Sequence, residues 1–227
     1  MKVLVIIPAY NEEKSIKRVV DNLIQNYPEY DYVVVNDGSR DHTVDICKEE
    51  GYRYLNLPVN LGLAGAFQTG MKYAYQMGYD YAIQFDADGQ HRPEYIAPIL
   101  NKMEEGYDIV IGSRFVEEKK PASLRMLGSA MISAAIRLTT GKKVKDPTSG
   151  MRMFNRKLIE EFALNINYGP EPDTVSYLIK NGAKVAEVQA HMDERLEGQS
   201  YLTLTRSAKY MLRMITSILL IQNFRKR

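Results

Sequence analysis

Tryptophan is absent from this 227-residue chain, and cysteine occurs once, at Cys47. A lone cysteine excludes an internal disulfide and a cysteine-built zinc site, and it is compatible with a reducing, cytoplasmic setting. Neither sign of charge dominates: 30 Lys and Arg face 28 Asp and Glu, a formal net charge of +2. No global basic field therefore argues for nucleic acid. No uninterrupted apolar run reaches the roughly 18 residues of a membrane span. The N-terminal run Val3–Ile7 is too short for a signal peptide and predicts a strand instead. No Gly-x-Gly-x-x-Gly follows that strand, and no phosphate-cradling Gly-x-x-x-x-Gly-Lys-Ser/Thr loop is present. These absences disfavour a dinucleotide site and a P-loop.

What is present is an ordinary globular composition, 45% hydrophobic and 26% charged. Continuous β-branched and Leu runs predict buried strands at Lys2–Ile7, Tyr32–Val35, Tyr52–Leu55, Asp80–Phe85 and Asp108–Ile111. Amphipathic stretches between them predict helices from about Glu12 to Gln25 with Asn11 as N-cap, from Asp41 to Glu50, up to Met77, and from Pro93 to Met103. The second half predicts a helix over Ala122–Thr140, a strand at Met151–Phe154, a helix begun by Glu171-Pro172-Asp173-Thr174, a strand at Lys184–Ala190 and a helix over Leu202–Phe224. Strands alternating with helices imply an α/β fold with a mostly parallel central sheet flanked by helices. With no repeat or linker, the expected organisation is one catalytic domain over residues 1–200 and a C-terminal appendage over 201–227.

In such a sheet the ligand crevice lies at the carboxyl ends of the strands. Pro8–Glu12, Asn36–Ser39, Asp86–Gln90 and Gly112–Arg114 each follow a predicted strand, so all four belong on one edge. Asp86-Ala87-Asp88 is the chemically sharpest of them. Two carboxylates at that spacing suit one Mg²⁺ or Mn²⁺ that completes its shell with water and substrate phosphates. A solvated turn accounts for the same residues. His91 belongs behind this loop. Glu171 and Asp173 suit either catalysis or the favourable charge of a helix N-terminus.

These segments, taken in order, resemble glycosyltransferase family 2, and within it the polyprenyl-phosphate sugar transferases of the dolichyl-phosphate mannosyltransferase type. The resemblance is carried by Ile7-Pro8-Ala9-Tyr10-Asn11-Glu12, Val35-Asn36-Asp37-Gly38-Ser39-Arg40-Asp41-His42-Thr43, Asn60-Leu61-Gly62, Phe85-Asp86-Ala87-Asp88-Gly89-Gln90, Gly112-Ser113-Arg114-Phe115, Thr148-Ser149-Gly150-Met151-Arg152 and Arg195-Leu196-Glu197-Gly198-Gln199-Ser200. It implies a GT-A fold, a nucleoside-diphosphate-sugar donor, a divalent metal and inversion at the anomeric carbon. Pro8, Tyr10, Glu12, Asp37 and Asp86 are then expected at the donor. Asp86, Asp88 and Gln90 are expected at Mg²⁺ or Mn²⁺. Arg114, Arg125, Arg195 and Ser200 are expected at phosphates. Asp88, Arg114, Asp173 and Arg195 are the expected catalytic group. Tyr201 stands where the family often has Lys, which removes one cation from the expected acceptor-phosphate site.

The implied reaction moves a sugar onto polyprenyl phosphate for cell-wall or surface polysaccharide synthesis. A lipid phosphate is already anionic and needs Arg clamps rather than a strong base; a saccharide hydroxyl needs a carboxylate base such as Asp173. A lipid-linked saccharide acceptor is the alternative, and a nucleotidyltransferase or a non-catalytic sugar-nucleotide scaffold are further ones. The tail from Met211 to Arg227, apolar but interrupted by Arg213 and ending in Arg225-Lys226-Arg227, suits the inner membrane surface. A small membrane-protein partner or a second copy of the chain would cover the same apolar face.

Overall fold

The computed structural model describes residues 1–165, 168–193 and 204–223. Among the described residues seven strands form one sheet: β1 Val3–Ala9, β2 Asp31–Asn36, β3 Tyr54–Asn56, β4 Tyr81–Gln84, β5 Ile109–Ser113, β6 Arg152–Asn155 and β7 Val185–Gln189. Their order is β3-β2-β1-β4-β6-β5-β7. All the pairings are parallel except those of β6, which runs antiparallel to both β4 and β5. That reversal has a consequence for position. The loop before β6, residues 146–150, reaches the same sheet edge as the loops after β1, β2, β4 and β5.

The helices are α1 Ile16–Asn26, α2 Thr43–Glu49, α3 Gly62–Gln76, α4 Ile96–Glu104, α5 Leu124–Thr140, α6 Arg156–Leu164, α7 Pro172–Lys180 and α8 Leu204–Leu219. They cover both faces of the sheet, which explains the unbroken apolar runs. In β1, Val3, Val5 and Ile7 belong to one core while Leu4 and Ile6 belong to the other. The first core is closed by Val19, Val20 and Leu23 of α1 with Ile96 and Ile99 of α4. The second is closed by α3, α5, α6, α7 and α8. Its centre is a ring trio, Phe67, Phe154 and Phe162, with centroids 5.3–5.6 Å apart. Each such pair adds about 0.5–1.5 kcal/mol beyond the apolar area it buries.

Three features differ from the sequence expectation. Helix α1 starts at Ile16 rather than Glu12, because Asn11 is not a cap. Asn11 has φ 57°, and its backbone N–H donates to Ser39 Oγ while its Oδ1 accepts from Arg40 N–H. A short polar side chain tolerates this left-handed backbone, and here it stitches the loop after β1 to the loop after β2. Helix α6 has no counterpart among the helices predicted from the sequence. It follows β6 with no loop, capped by Asn155, whose side chain accepts from Leu158 N–H. Finally, α8 joins the body of the domain: Met214 and Ile218 are buried in the second core. Gly128 of α5 lets it approach, since a Cβ there would lie 1.7 Å from Met211 Sδ. None of the described helices is long and apolar enough to cross a membrane.

Candidate active site

The carboxyl edge of β1, β2 and β4 opens into a cavity of about 250 Å³ lined by Pro8, Ala9, Tyr10, Glu12, Asp37, Leu63, Ala66, Asp86, Ala87 and Asp88. Six expected site residues thus share one wall: Pro8, Tyr10, Glu12, Asp37, Asp86 and Asp88. The buried Asp37 carboxylate is fixed by the backbone, its Oδ1 accepting from Leu61 N–H at 2.7 Å. Burial raises its pKa, against the pull of the Leu61 and Gly62 amides. Gly38 is required here by two constraints. Its φ is +66°, and a Cβ would fall 2.7 Å from the Val59–Asn60 backbone crossing above it.

The Asp-x-Asp loop is built as a supported platform. Asp86 N–H donates to His91 Nδ1 at 2.9 Å. With Nδ1 accepting, the neutral imidazole carries its proton on Nε2, which lies 3.5 Å from Asp86 Oδ2. The ring is buried and stands edge-on to Phe85 at 5.3 Å. Gln84 Nε2 donates to Asp86 Oδ1 at 3.2 Å, and Gln90 N–H donates to Asp88 Oδ1 at 3.0 Å. From the far side Gly150 presses in: a Cβ there would stand 2.9 Å from Asp86 Oδ2 and 3.2 Å from His91 Cε1. Asp86 keeps 35% of its side chain exposed, toward the cavity.

Gln90 was expected at the metal. Its side chain instead donates from Nε2 to the Asp193 carbonyl at 3.3 Å. Asp193 N–H returns a bond to the Gln90 carbonyl, and Arg92 Nε donates to Asp193 Oδ1 at 2.8 Å. The chain is therefore pinned to the Asp-x-Asp loop just before the segment that holds Arg195 and Ser200. Both of those residues lie outside the described ones. Among the described residues no group of three His, Cys, Asp or Glu side chains is placed to hold a metal. The donor set is two carboxylates at a cavity wall. That set fits Mg²⁺ or Mn²⁺, which keep water and substrate phosphate as further ligands.

Arg114 follows β5, two strands from β4 in the sheet and on the same edge. Its Nε and Nη2 make a bidentate pair with Asp146 Oδ2 and Oδ1 at 2.7 and 2.8 Å, and Nη2 also donates to Thr148 Oγ1 at 3.2 Å. Asp146 is 0% exposed. Burial acts to raise its pKa, but the hydrogen bonds and charge of Arg114 outweigh this and hold it below the usual carboxylate range. Glu187 on β7 fixes the backbone around it, accepting from Lys145 N–H at 2.6 Å and Asp146 N–H at 2.7 Å. Asp146 and Glu187 were missed in the sequence. Asp146 lies ahead of the predicted strand Met151–Phe154, and Glu187 lies within the predicted strand Lys184–Ala190.

The remaining expected residues are placed differently. Asp173 opens α7 but is buried in the seam with α8, where its Oδ2 accepts from Ser217 Oγ at 2.6 Å. Beside it Glu171 pairs with Arg213 at 2.7 Å. Arg125 lies in the first turn of α5, and its side chain is outside the described set. Arg152, from the Thr148–Arg152 motif, is a buried tie rather than a cavity group. Its guanidinium donates to the Pro170 and Pro147 carbonyls, and burial pushes its pKa down.

Comparison with known proteins gives the family and the fold. The model of the family described as Glycosyl transferase family 2 matches residues 4–162. The chain belongs to that family. It is a glycosyltransferase with the mostly parallel, helix-flanked sheet of the GT-A fold. Among its relatives, a UDP-N-acetylglucosamine–dolichyl-phosphate N-acetylglucosaminyltransferase of Methanococcus voltae is 36% identical, over 82% of this chain and 83% of that one. An undecaprenyl-phosphate mannosyltransferase of Micrococcus luteus is 32% identical, over 89% and 88%. The glucosyl-3-phosphoglycerate synthase of Mycobacterium tuberculosis, solved with Mn²⁺, UDP and phosphoglyceric acid, superposes with a TM-score of 0.73 at 19% identity, over 96% of this chain and 78% of that one. That last likeness speaks for the fold alone.

Proposed function

We propose that this glycosyltransferase moves one sugar from a nucleoside-diphosphate sugar to a polyprenyl phosphate, with inversion at the anomeric carbon, at the inner face of a membrane. The observation that carries the reading is a division of charge along one sheet edge. Asp86 and Asp88 line the cavity at the end of β4, while the pre-aligned guanidinium of Arg114 stands two strands away. Uridine diphosphate sugars are the first donors to test, because the M. voltae relative is named for one.

In this reading Pro8, Tyr10, Glu12 and Asp37 receive the nucleoside. Asp86 and Asp88 hold Mg²⁺ or Mn²⁺, which when bound offsets the negative charge gathering on the leaving diphosphate. His91, Gln84 and Gly150 keep Asp86 in one orientation, so that little reorganisation accompanies the reaction. Arg114, fixed by Asp146, aims the acceptor phosphate at the face opposite the leaving group. The acceptor oxygen is an anion already, so the step needs no general base. The engagement of Asp173 with Ser217 in the α7–α8 seam is compatible with that.

The surface supports a lipid acceptor. Leu124, Leu127, Met131 and Leu138, at successive gaps of three, four and seven residues along α5, are exposed, as are Leu212, Leu220 and Ile221 at α8 and beyond it. Exposed Lys119, Arg137, Lys142 and Lys143 lie around this apolar stripe in sequence. An apolar face with a basic margin suits the interface of an anionic bilayer, each basic side chain near the surface adding about 1 kcal/mol.

The test is transfer from radiolabelled UDP-sugars to purified undecaprenyl phosphate with Mn²⁺, read as organic-extractable label. Product with the phosphate and none with undecaprenol is expected. Label found only on an added lipid-linked saccharide would replace this acceptor with the saccharide.

A further inference from the structure

A second cavity, about 410 Å³, lies between α5 and the loops flanking it, lined by Phe115, Lys120, Ala134, Arg137, Val144 and Lys145 among others. Lys120 stands out within it. Its Nζ donates to Ser129 Oγ at 2.9 Å and lies 5.3 Å from the centroid of the Phe115 ring. The Arg114 guanidinium lies 5.2 Å from the same centroid. The two cations are linked through hydroxyls as well. Ser129 Oγ is 3.4 Å from Thr148 Oγ1, which accepts from Arg114 Nη2.

Their charge balance differs. Arg114 is neutralised by the buried carboxylate of Asp146. Lys120 has no carboxylate within salt-bridge distance among the described residues, although it is half-buried. A half-buried ammonium beside a second cation is unfavourable unless an anion completes the site. Burial and Arg114 both push its pKa down, against Asp146 and Glu187. Phe115, Ala130, Ala134 and Val144 give the cavity an apolar wall along α5, and the one carboxylate in its lining, Glu118, lies 3.4 Å from His191 Nδ1. An anion carried on an apolar chain matches that sequence of surfaces.

We propose that Lys120 is a binding residue for the phosphate of the acceptor, its ammonium held by Ser129 beside Arg114 with the apolar groove leading away. This deepens the function proposed above and rests on its phosphate acceptor. The anion class is a phosphate monoester, and the competing source is the diphosphate of the donor.

The test uses the full chain with Lys120→Met, which keeps the aliphatic stem over Phe115, and Lys120→Arg, which keeps the charge. Lys120→Met is expected to raise KM for undecaprenyl phosphate about tenfold to a hundredfold, the range for losing a charge-assisted hydrogen bond. KM for the donor stays within about twofold, and Lys120→Arg recovers most of the loss, as the charge it keeps dictates. Binding is measured separately as the melting shift given by farnesyl phosphate, with farnesol and inorganic phosphate as controls. Wild type responds to farnesyl phosphate and not to farnesol, and Lys120→Met loses the response. An unchanged acceptor KM with an unchanged farnesyl-phosphate shift overturns the proposal, and a change confined to donor KM reassigns Lys120 to the diphosphate. Should wild type make no lipid-linked product, the function fails while the binding arm still judges Lys120. Should Lys120→Met not fold, Lys120→Gln is read in the same two assays.

Discussion

Arg114 and Asp146 face each other as fork to fork, two hydrogen bonds of 2.7 and 2.8 Å between a strand-end guanidinium and a fully buried carboxylate. Breaking one side of such a pair leaves an uncompensated buried charge, at a cost of about 3–5 kcal/mol. Arg114→Met should lose that much in urea unfolding, because Asp146 stays behind in the interior. The double variant Arg114→Met/Asp146→Leu should recover much of it, since an apolar pair of similar volume removes both desolvation penalties. Both variants should lose transfer activity, which separates the structural role of the pair from its use at the site.

The same pair sets a pH dependence. The pKa of Asp146 in the fold lies below the ordinary value of 3.8. A lowered folded pKa means that the unfolded chain binds the proton more readily. The stabilisation is therefore fully present above the unfolded value and is lost as pH falls through the folded one. Urea midpoints followed downward from neutral pH should hold until the carboxylate range and fall below it. Asp146→Asn should remove that part of the acid slope. An identical slope in both proteins would show that other carboxylates carry it.

His91 offers a test of the proposed metal site that leaves the two carboxylates in place. Its Nδ1 accepts the Asp86 N–H, and its ring packs edge-on against Phe85. His91→Phe preserves the packing and removes the acceptor. Changes behind a metal ligand weaken metal affinity by about 10–100-fold. The Mn²⁺ concentration for half-maximal activity should rise by that factor, with kcat at saturating Mn²⁺ much less affected. Asp88→Asn, by contrast, should not be rescued by added Mn²⁺.

How much of this was legible in the sequence depends on the distance over which each feature is made. The strands were, because the middle residues of β1, β2, β4 and β5 are buried on both faces and are apolar one after another. The grouping of Pro8, Tyr10, Glu12, Asp37, Asp86 and Asp88 was too, because each ends or follows a strand of the same direction. The antiparallel course of β6 was not, since four residues carry no sign of direction. Asp146 and Glu187 were hidden for a related reason. Asp146 acquires its role from Arg114, 32 residues away, and Glu187 acts on backbone 41 residues before it. Asn11 misled because a residue suited to helix caps is equally suited to a left-handed link. Helix α6 was hidden by its abrupt start. Asn155 ends a strand and caps a helix at once, which leaves no turn residues to mark the change.

Gly150 leads to a prediction in which activity and stability part company. Its backbone angle needs no glycine, so Gly150→Ala adds no left-handed strain. What it adds is a methyl group 2.9 Å from Asp86 Oδ2 and 3.2 Å from His91 Cε1. The nearest atom is the far oxygen of a carboxylate, which turns aside at the cost of its contacts with Gln84 Nε2 and His91 Nε2, while the imidazole stays fixed by the Asp86 amide. The fold therefore absorbs the change at Asp86. Melting should move by only a few degrees, corresponding to about 1 kcal/mol. Transfer should fall by about 10²-fold, as for a comparable misplacement of a reacting group. Gly150→Ser should behave alike, and a variant with full activity would mean that Asp86 is free to leave its present position during turnover.

The exposed stripe on α5 gives the last prediction. Leu124, Leu127 and Leu138 face away from a helix whose other side buries Ile132 and Ile136 in the core. Substitution there should leave the interior intact. Leu127→Glu and Leu138→Glu together should keep the melting temperature within a few degrees, since exposed positions change stability by about 0.5 kcal/mol or less. They should also keep transfer to a short, detergent-soluble prenyl phosphate. Co-sedimentation with vesicles containing anionic lipid should drop sharply, and transfer to undecaprenyl phosphate held in those vesicles should drop with it. Reversing Lys142 and Lys143 to Glu tests the basic margin separately. Binding should weaken by about 1 kcal/mol for each positive charge lost, and high salt should erase the difference between these variants and wild type. If the Leu→Glu pair binds vesicles as well as wild type does but shifts the size of the particle in solution, the stripe is a seam between copies of this chain and not a membrane face.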